Sequence, residues 1–416
     1  MAKTREEVTV DFDPVRPAQI HNIDVACAEL RHTCPVAWSE AQGGFWVVTR
    51  YEDVQKIGRQ SRFFSITGGN VLPAAAYDRL PMAHDDPPEH TPYRRALNPH
   101  MSAQVVETQL APRIEYWTDV FIDRVIEQGE CDAVYNFGVA IPTAVTMEWL
   151  GWDDKNEWWL LGKAWHDLQG RPLDTEAYAS GAHTVVNFDK RIREELEKRR
   201  EEPRDDEMSR IVAMEINGAP IPIDDAVRLV RVLIGAGVDT TTSSIGSALV
   251  HMHFHPEVRQ RLLDNPELWP AAVEEFLRRY PPARALVRTC AQEIELDGCV
   301  IKPGELIYAP ITSANQDRNV FTSPLTFDMD RENNPHLSFG TGVHMCVGMH
   351  LARAEVEIVL RRVVERLPDY RIVEEGLLEY ARQSTINGWM KAPMIFTPGK
   401  RLLPELPEMD LALLRY

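Results

Sequence analysis

Residues 224 to 253 carry the feature that most narrows what this chain can become. Apolar side chains at Val227, Val230, Leu233 and Ile234 recur at helical spacing, and Asp224 stands where an N-cap is expected. A helix of that span rises about 45 Å and crosses a whole domain. Its middle, LIGAGVDTTTSS (233 to 244), is locally inconsistent. Gly235 and Gly237 weaken a helix, while Asp239, Thr240, Thr241 and Thr242 set polar groups into an apolar element, which invites a kink or an inserted water. Such a conflict marks a site. The plain structural alternative is that the threonine hydroxyls bond back to their own helix and glycine admits a neighbouring one. On residue chemistry alone both readings stand.

The rest of the chain reads as mainly α with small β-sheets. Residues 35 to 50 alternate apolar and polar about Gly43-Gly44, as a hairpin does. A short helix is predicted over 51–59, then a long loop over 65–82 that keeps enough apolar residues to cover something. From Arg94 to about Arg200 the pattern is helical, broken at Gly129, Gly151 and 169–174. The charged run 191–207 reads as a solvated helix end and surface loop. Helices near 256–263 and 270–280 precede strand-like segments at 293–301 and 304–311, and a last helix covers 349–366. No repeat or linker divides the 416 residues, so one domain is expected: a β-rich portion with its loop over 35–82, a helical body over 94–290, and a special segment over 336–366.

Composition removes some classes. A net charge of -18 repels nucleic acid and anionic lipid. The first residues lack an apolar run of signal or anchor length, so no membrane anchor and a cytoplasmic location are expected. Six scattered cysteines without a CxxC pair suggest neither a disulfide framework nor a zinc ribbon.

One of them is different. SFGTGVHMCVG (338 to 348) holds Cys346 among Gly340, Gly342 and Gly348 just ahead of the last helix. Glycine allows positive φ and close approach of a bulky planar group, and a helix start favours a thiolate. A lone cysteine is otherwise a core residue, and His344 with Cys346 are two zinc ligands without a second pair. The pattern Phe339, Gly340, Gly342, His344, Cys346, Gly348 resembles the haem-binding loop of the cytochrome P450 superfamily, in its soluble bacterial form. Three further motifs occur in the family's order, so the resemblance spans about 35 to 398.

The resemblance implies a P450-like fold with the long helix over the haem. It implies haem b (iron protoporphyrin IX), Cys346 as the iron's thiolate ligand, and Phe339 beside the ligand loop. Val347 replaces a frequent leucine, a conservative change. Within the long helix, AGVDT resembles the family's oxygen groove: Ala236 and Gly237 leave room above the haem, Thr240 holds the dioxygen network and Asp239 relays protons. In EEFLRR, Glu275 and Arg278 match ExxR and imply a buried network with Arg331 supporting the haem loop. In DDPPEHTPYRR, His90 and Arg94 match HxxxR and imply propionate donors, with Arg288 and His344 completing the set.

The implied activity is a haem-thiolate monooxygenase: one oxygen atom from O2 enters a small or medium hydrophobic organic substrate, by hydroxylation or oxidative dealkylation. Val71, Leu72, Leu233, Leu286, Val287 and Ile386 are the expected pocket side chains, and Asn70, Tyr77, Arg284 and Asn387 the polar anchors to weigh. Electrons from NAD(P)H are expected through a separate ferredoxin reductase and ferredoxin, the latter met by Arg95, Arg353, Arg361 and Arg362. The alternatives are a haem-based gas-binding or sensing protein, a peroxide-driven or non-oxidative haem-thiolate enzyme, and a non-catalytic interaction domain.

Overall fold

A computed structural model describes residues 3–16, 22–72, 79–172, 174–381 and 386–409. The chain forms two compact units, each assembled from separate stretches: the first from 1–94, 274–347 and 382–387, the second from 95–273, 348–381 and 388–416. Because each unit draws on distant parts of the sequence, no linker is visible in it.

The first unit is built on a five-stranded sheet in the order Val36–Ser39, Phe45–Val48, Leu306–Pro310, Ala285–Cys290, Phe64–Ser65. The expected hairpin is present, with Val36 opposite Val48. Its turn uses positive φ at Gln42, Gly43 and Gly44, and a Cβ on Gly44 would lie 2.6 Å from the Trp38 ring. Alternation decides the two faces of the sheet. Trp46, Val48, Ile307 and Ala309 join one apolar cluster with Ile57 and Leu337, while Phe45, Val47 and Tyr308 join another with Phe12 and Ile23. The short helix occupies Tyr51–Arg59.

The second unit is helical, with Ala111–Val125, Ala140–Leu150, Lys155–Gly170, Glu176–Glu201 and Met349–Arg366 packed on the long helix or on one another. Helix Ala140–Leu150 is buried along most of its length and ends at Gly151, left-handed at φ 86. The long helix runs unbroken over Ile223–Phe254. Its cap is Pro222 and not Asp224, which sits in the first turn and accepts from Arg193. The charged run 191–207 is not simply solvated. Arg199, 1% exposed, bonds Glu195, Asp206 at 3.0 Å and the Gly151 carbonyl, tying the helix end to the turn at Gly151. Charge density hid this, because an arginine is buried only where partners pair it, and two of these, Asp206 and the Gly151 carbonyl, lie outside its own helix.

Candidate functional site

The cysteine loop lies in the first unit. Gly340 and Gly342 take φ of 68 and 74, the Gly340 N–H donates to Leu337 O, and the Cys346 N–H donates to Phe339 O at 2.8 Å, closing the loop on itself. Cys346 is exposed, Phe339 is half-buried beside His336, and Gly348 has an ordinary φ of -87. Positive φ is thus required at two of the three glycines, not at Gly348.

Behind the loop, Glu275 and Arg278 are both fully buried and joined by two bonds of 2.8 Å. Arg331 meets the same carboxylate at 3.3 and 3.4 Å, with Asn334 and the Asp328 N–H completing its shell. Burial pushes the Glu275 carboxyl up, but the donors, Arg278 first, outweigh it and hold it below the usual range. Arg278 reaches on to Asn315 O and Pro324 O, and Asn315 in turn holds Leu337 N at 2.8 Å and Ser338 Oγ at 3.0 Å. This buried asparagine, which residue chemistry alone did not single out, connects the ion network to the start of the cysteine loop. A lone Asn in a Pro- and Asn-rich stretch gave no signal.

His90, Arg94, Arg288 and His344 also belong to the first unit. The His90 and His344 rings meet edge-on at 4.6 Å, and His344 Nε2 is 3.2 Å from Asp86 Oδ1. Burial, with His344 and Arg94 nearby, drives His90 down to about 4. Arg288, 4% exposed, donates only to the adjoining Val287 carbonyl among the described residues, and burial lowers it to about 10. Arg94 is likewise lowered by burial, against an opposing pull from the Cys346 sulfur. Among these four, His344 bonds Asp86, His90 feels Asp85 and Asp86, Arg288 feels Asp86 alone, and Arg94 has no carboxylate acting on it. A buried guanidinium so poorly compensated calls for an anion, and a group bearing two carboxylates, as a haem does, suits this donor set.

In the second unit, the helix middle presents an accessible stripe. Ala236 is exposed and Gly237 and Thr240 are half-buried, while Val238, Asp239, Thr241 and Thr242 are buried. The hydroxyls do bond back: Thr240 Oγ1 to Ala236 O at 2.7 Å and Thr242 Oγ1 to Val238 O at 2.8 Å, so polarity produces no break. Gly235 admits the Trp165 ring, which a Cβ would meet at 2.9 Å. Asp239 points inward to Tyr380 and His166. Two buried acids-and-bases were missed by sequence reasoning. His166 continues the inward row Trp158, Gly162, His166, Gly170 of its helix. Glu355 interrupts the apolar row Leu351, Val359, Val363 and is 2% exposed; Thr241 donates to its Oε2 at 3.5 Å, and burial raises it to about 8. Helical spacing would have flagged both.

The expected pocket side chains separate. Leu286 and Val287 are neighbours on a strand and point to opposite faces, Leu286 against the cluster with Ile57 and Leu337, and Val287, with Leu72, in the cluster around Tyr308. They do not face one space together. Val71 is half-buried, Leu233 is 8% exposed, and Ile386 bridges Ala283. Asn70 lies 3.4 Å from His84, Arg284 bonds Asn387 at 3.1 Å, and Tyr77 lies outside the described residues. Of the expected basic patch, Arg361 is paired with Glu115 and Arg362 with Asp119, which reduces its charge. No described helix is long and apolar enough to cross a membrane.

Comparison with known proteins agrees with this geometry. The family model for cytochrome P450 matches residues 171–368. The chain is 33% identical over 353 residues to a putative cytochrome P450, YjiB, of Bacillus subtilis, covering 83% of this chain and 87% of that protein. It is 30% identical over 369 residues to a steroid C26-monooxygenase of Mycolicibacterium smegmatis, covering 87% and 90%. The solved structure of a P450 EryK mutant in complex with erythromycin B superposes with TM-score 0.83 at 26% identity, covering 94% of this chain and 99% of that one. With the mainly helical fold, these matches show that the chain belongs to the cytochrome P450 family, enzymes that hold haem b through a cysteine thiolate.

Proposed function

We propose that this haem-thiolate monooxygenase oxidises a hydrophobic organic molecule of small to medium size by hydroxylation or oxidative dealkylation, receiving electrons from NAD(P)H through a ferredoxin reductase and a ferredoxin. Bound haem supplies the oxidising chemistry, activating O2 at an iron whose thiolate ligand favours O–O cleavage. Cys346 would hold the iron, and His90, Arg94, Arg288 and His344 would hold the propionates. Glu275, Arg278 and Arg331 keep the loop that carries the cysteine in place. Phe339 sits beside that loop.

The observation that carries the oxygen-dependent reading is the pairing of Thr240 with Asp239 on the long helix. Thr240 commits its hydroxyl proton to Ala236 O, so its oxygen offers lone pairs and accepts from an incoming donor. Asp239, one residue earlier, is the adjacent acid. A peroxide-driven enzyme needs no such pair. The hydrophobic substrate class is supported by two similar proteins: one relative is named for oxidising a steroid, and one structural neighbour was solved with erythromycin B bound.

The test begins with the reduced, carbon monoxide-bound protein. A red-shifted Soret band of thiolate-ligated haem is expected, and a histidine-type band ends the reading. Thr240→Ala should then divert consumed O2 to peroxide, with unchanged coupling removing the oxygen-dependent assignment. A spin-state screen of hydrophobic compounds identifies the substrate class.

A further inference from the structure

His166, Asp239 and Tyr380 converge in the second unit from the helix Lys155–Gly170, the long helix and the stretch just after strand Leu378–Glu379. His166 and Asp239 are 0% exposed and Tyr380 1%. Asp239 Oδ1 accepts from Tyr380 Oη at 2.9 Å and lies 3.1 Å from His166 Nδ1, with Tyr380 Oη 3.2 Å from the same nitrogen. Asp239 Oδ2 is buried with no hydrogen-bond partner among the described residues. On the far side of the imidazole, Nε2 is 3.2 Å from the Met390 carbonyl oxygen.

These contacts limit the protons. A carbonyl oxygen only accepts, so Nε2 carries a hydrogen. Nδ1 then either donates to an ionised Asp239, making an imidazolium–carboxylate pair, or accepts from a protonated one. Both forms contain the same number of protons, carry no net charge, and differ by one proton moved along the 3.1 Å contact. The 3.1 Å contact between histidine and aspartate thus carries a single hydrogen. The titratable groups facing the ring are Asp239, Tyr380 and Tyr135, whose ring is edge-on at 5.1 Å. Behind Tyr135 lies Asp167, paired with Lys163 and Arg171.

We propose that His166 is a positioning residue for the acid of the oxygen-activating pair: it shares a proton with Asp239, Tyr380 fixes the oxygen through which they share it, and the cluster as a whole governs proton supply beside Thr240. This rests on the assignment of Asp239 and Thr240 made above.

The holoenzyme, driven by ferredoxin and its reductase without added substrate, tests it through the partition of consumed O2 between peroxide and water from about pH 6 to 9, measured in H2O and D2O. His166→Gln keeps a donor toward Asp239 but cannot hold the shared proton. It should lower the water fraction severalfold and flatten its pH profile while the thermal midpoint and the carbon monoxide spectrum stay as in wild type. His166→Leu should do the same more strongly, and Tyr380→Phe partially. Independently of turnover, 15N spectra of the carbon monoxide-bound ferrous protein should show His166 Nδ1 moving to the unprotonated position in Asp239→Asn. Wild-type partition and pH profile in His166→Gln, or an unmoved Nδ1 resonance in Asp239→Asn, overturns the proposal. If Thr240→Ala and Asp239→Asn also behave as wild type, the fault lies in the underlying assignment instead.

Discussion

Gly342 lies so close to Gly58 that it admits no side chain. A Cβ on Gly342 would lie 2.6 Å from Gly58 O and 2.8 Å from Arg59 Cα, and one on Gly58 would lie 2.6 Å from Thr341 Cγ2. The end of helix Tyr51–Arg59 is thereby pressed against the cysteine loop. Gly342 also has φ 74, so Gly342→Ala adds backbone strain to a backbone clash. We expect a loss of about 2–4 kcal/mol and haem content per chain well below wild type, read from the Soret-to-protein absorbance ratio.

The ion network predicts a larger effect. Glu275→Gln leaves Arg278 fully buried without its carboxylate, a change that costs about 3–5 kcal/mol in comparable sites. The variant should accumulate mostly as haem-free or unfolded protein. Arg278→Lys alone should fail in the same way, because an ammonium cannot reproduce the two parallel bonds to Glu275 while also reaching Asn315 and Pro324. Expression with haem supplementation followed by carbon monoxide difference spectra measures this.

Arg288 should show opposite signs in two states. Without an anion its buried charge is a liability, and with one it is a ligand. Arg288→Met is expected to leave the haem-free protein as stable as wild type or more so, yet to weaken haem retention by about tenfold or more. Thermal melts of the haem-free form and haem transfer to apomyoglobin separate the two.

Glu355 predicts a pH dependence. Its folded pKa of about 8 lies above the unfolded value, so between roughly pH 4.5 and 8 the folded chain keeps a proton that the unfolded chain releases. Stability should therefore fall as pH rises through that window, by an amount on the order of a few kcal/mol, with no further change from this group above it. Glu355→Gln should flatten that part of the stability profile. Urea midpoints at about pH 5, 6.5 and 8 test it.

Much of this was legible in the residues because local rules and tertiary structure agreed. The hairpin about Gly43-Gly44, the helix over 51–59 and the helix over 349–366 all follow from turn chemistry and period. Cys346 was legible for a different reason: a cluster of glycines around one cysteine conflicts with any simple core role. What stayed hidden depends on partners remote in sequence. Asn315 matters because Arg278 and Leu337 reach it, and Gly58 because Gly342 does. At position 240 the alternative weighed from the sequence, a hydroxyl bonded back to its own helix, is what the structure shows. Leu286 and Val287 were grouped as pocket residues through the family resemblance, and a strand's alternation divides them between two faces.

The interleaved make-up of the first unit has a consequence during synthesis. Strand Phe45–Val48 pairs with Leu306–Pro310, and the unit is complete only when residues up to 387 have appeared. At typical elongation rates of about 5–20 residues per second, the early hairpin waits about 13 to 52 s on the ribosome before its partner strand emerges. Until then Trp46 and Val48 on one side, and Phe45 and Val47 on the other, have no finished interior to enter. Nascent chains stalled between residues 100 and 300 should therefore be the ones that chaperones hold.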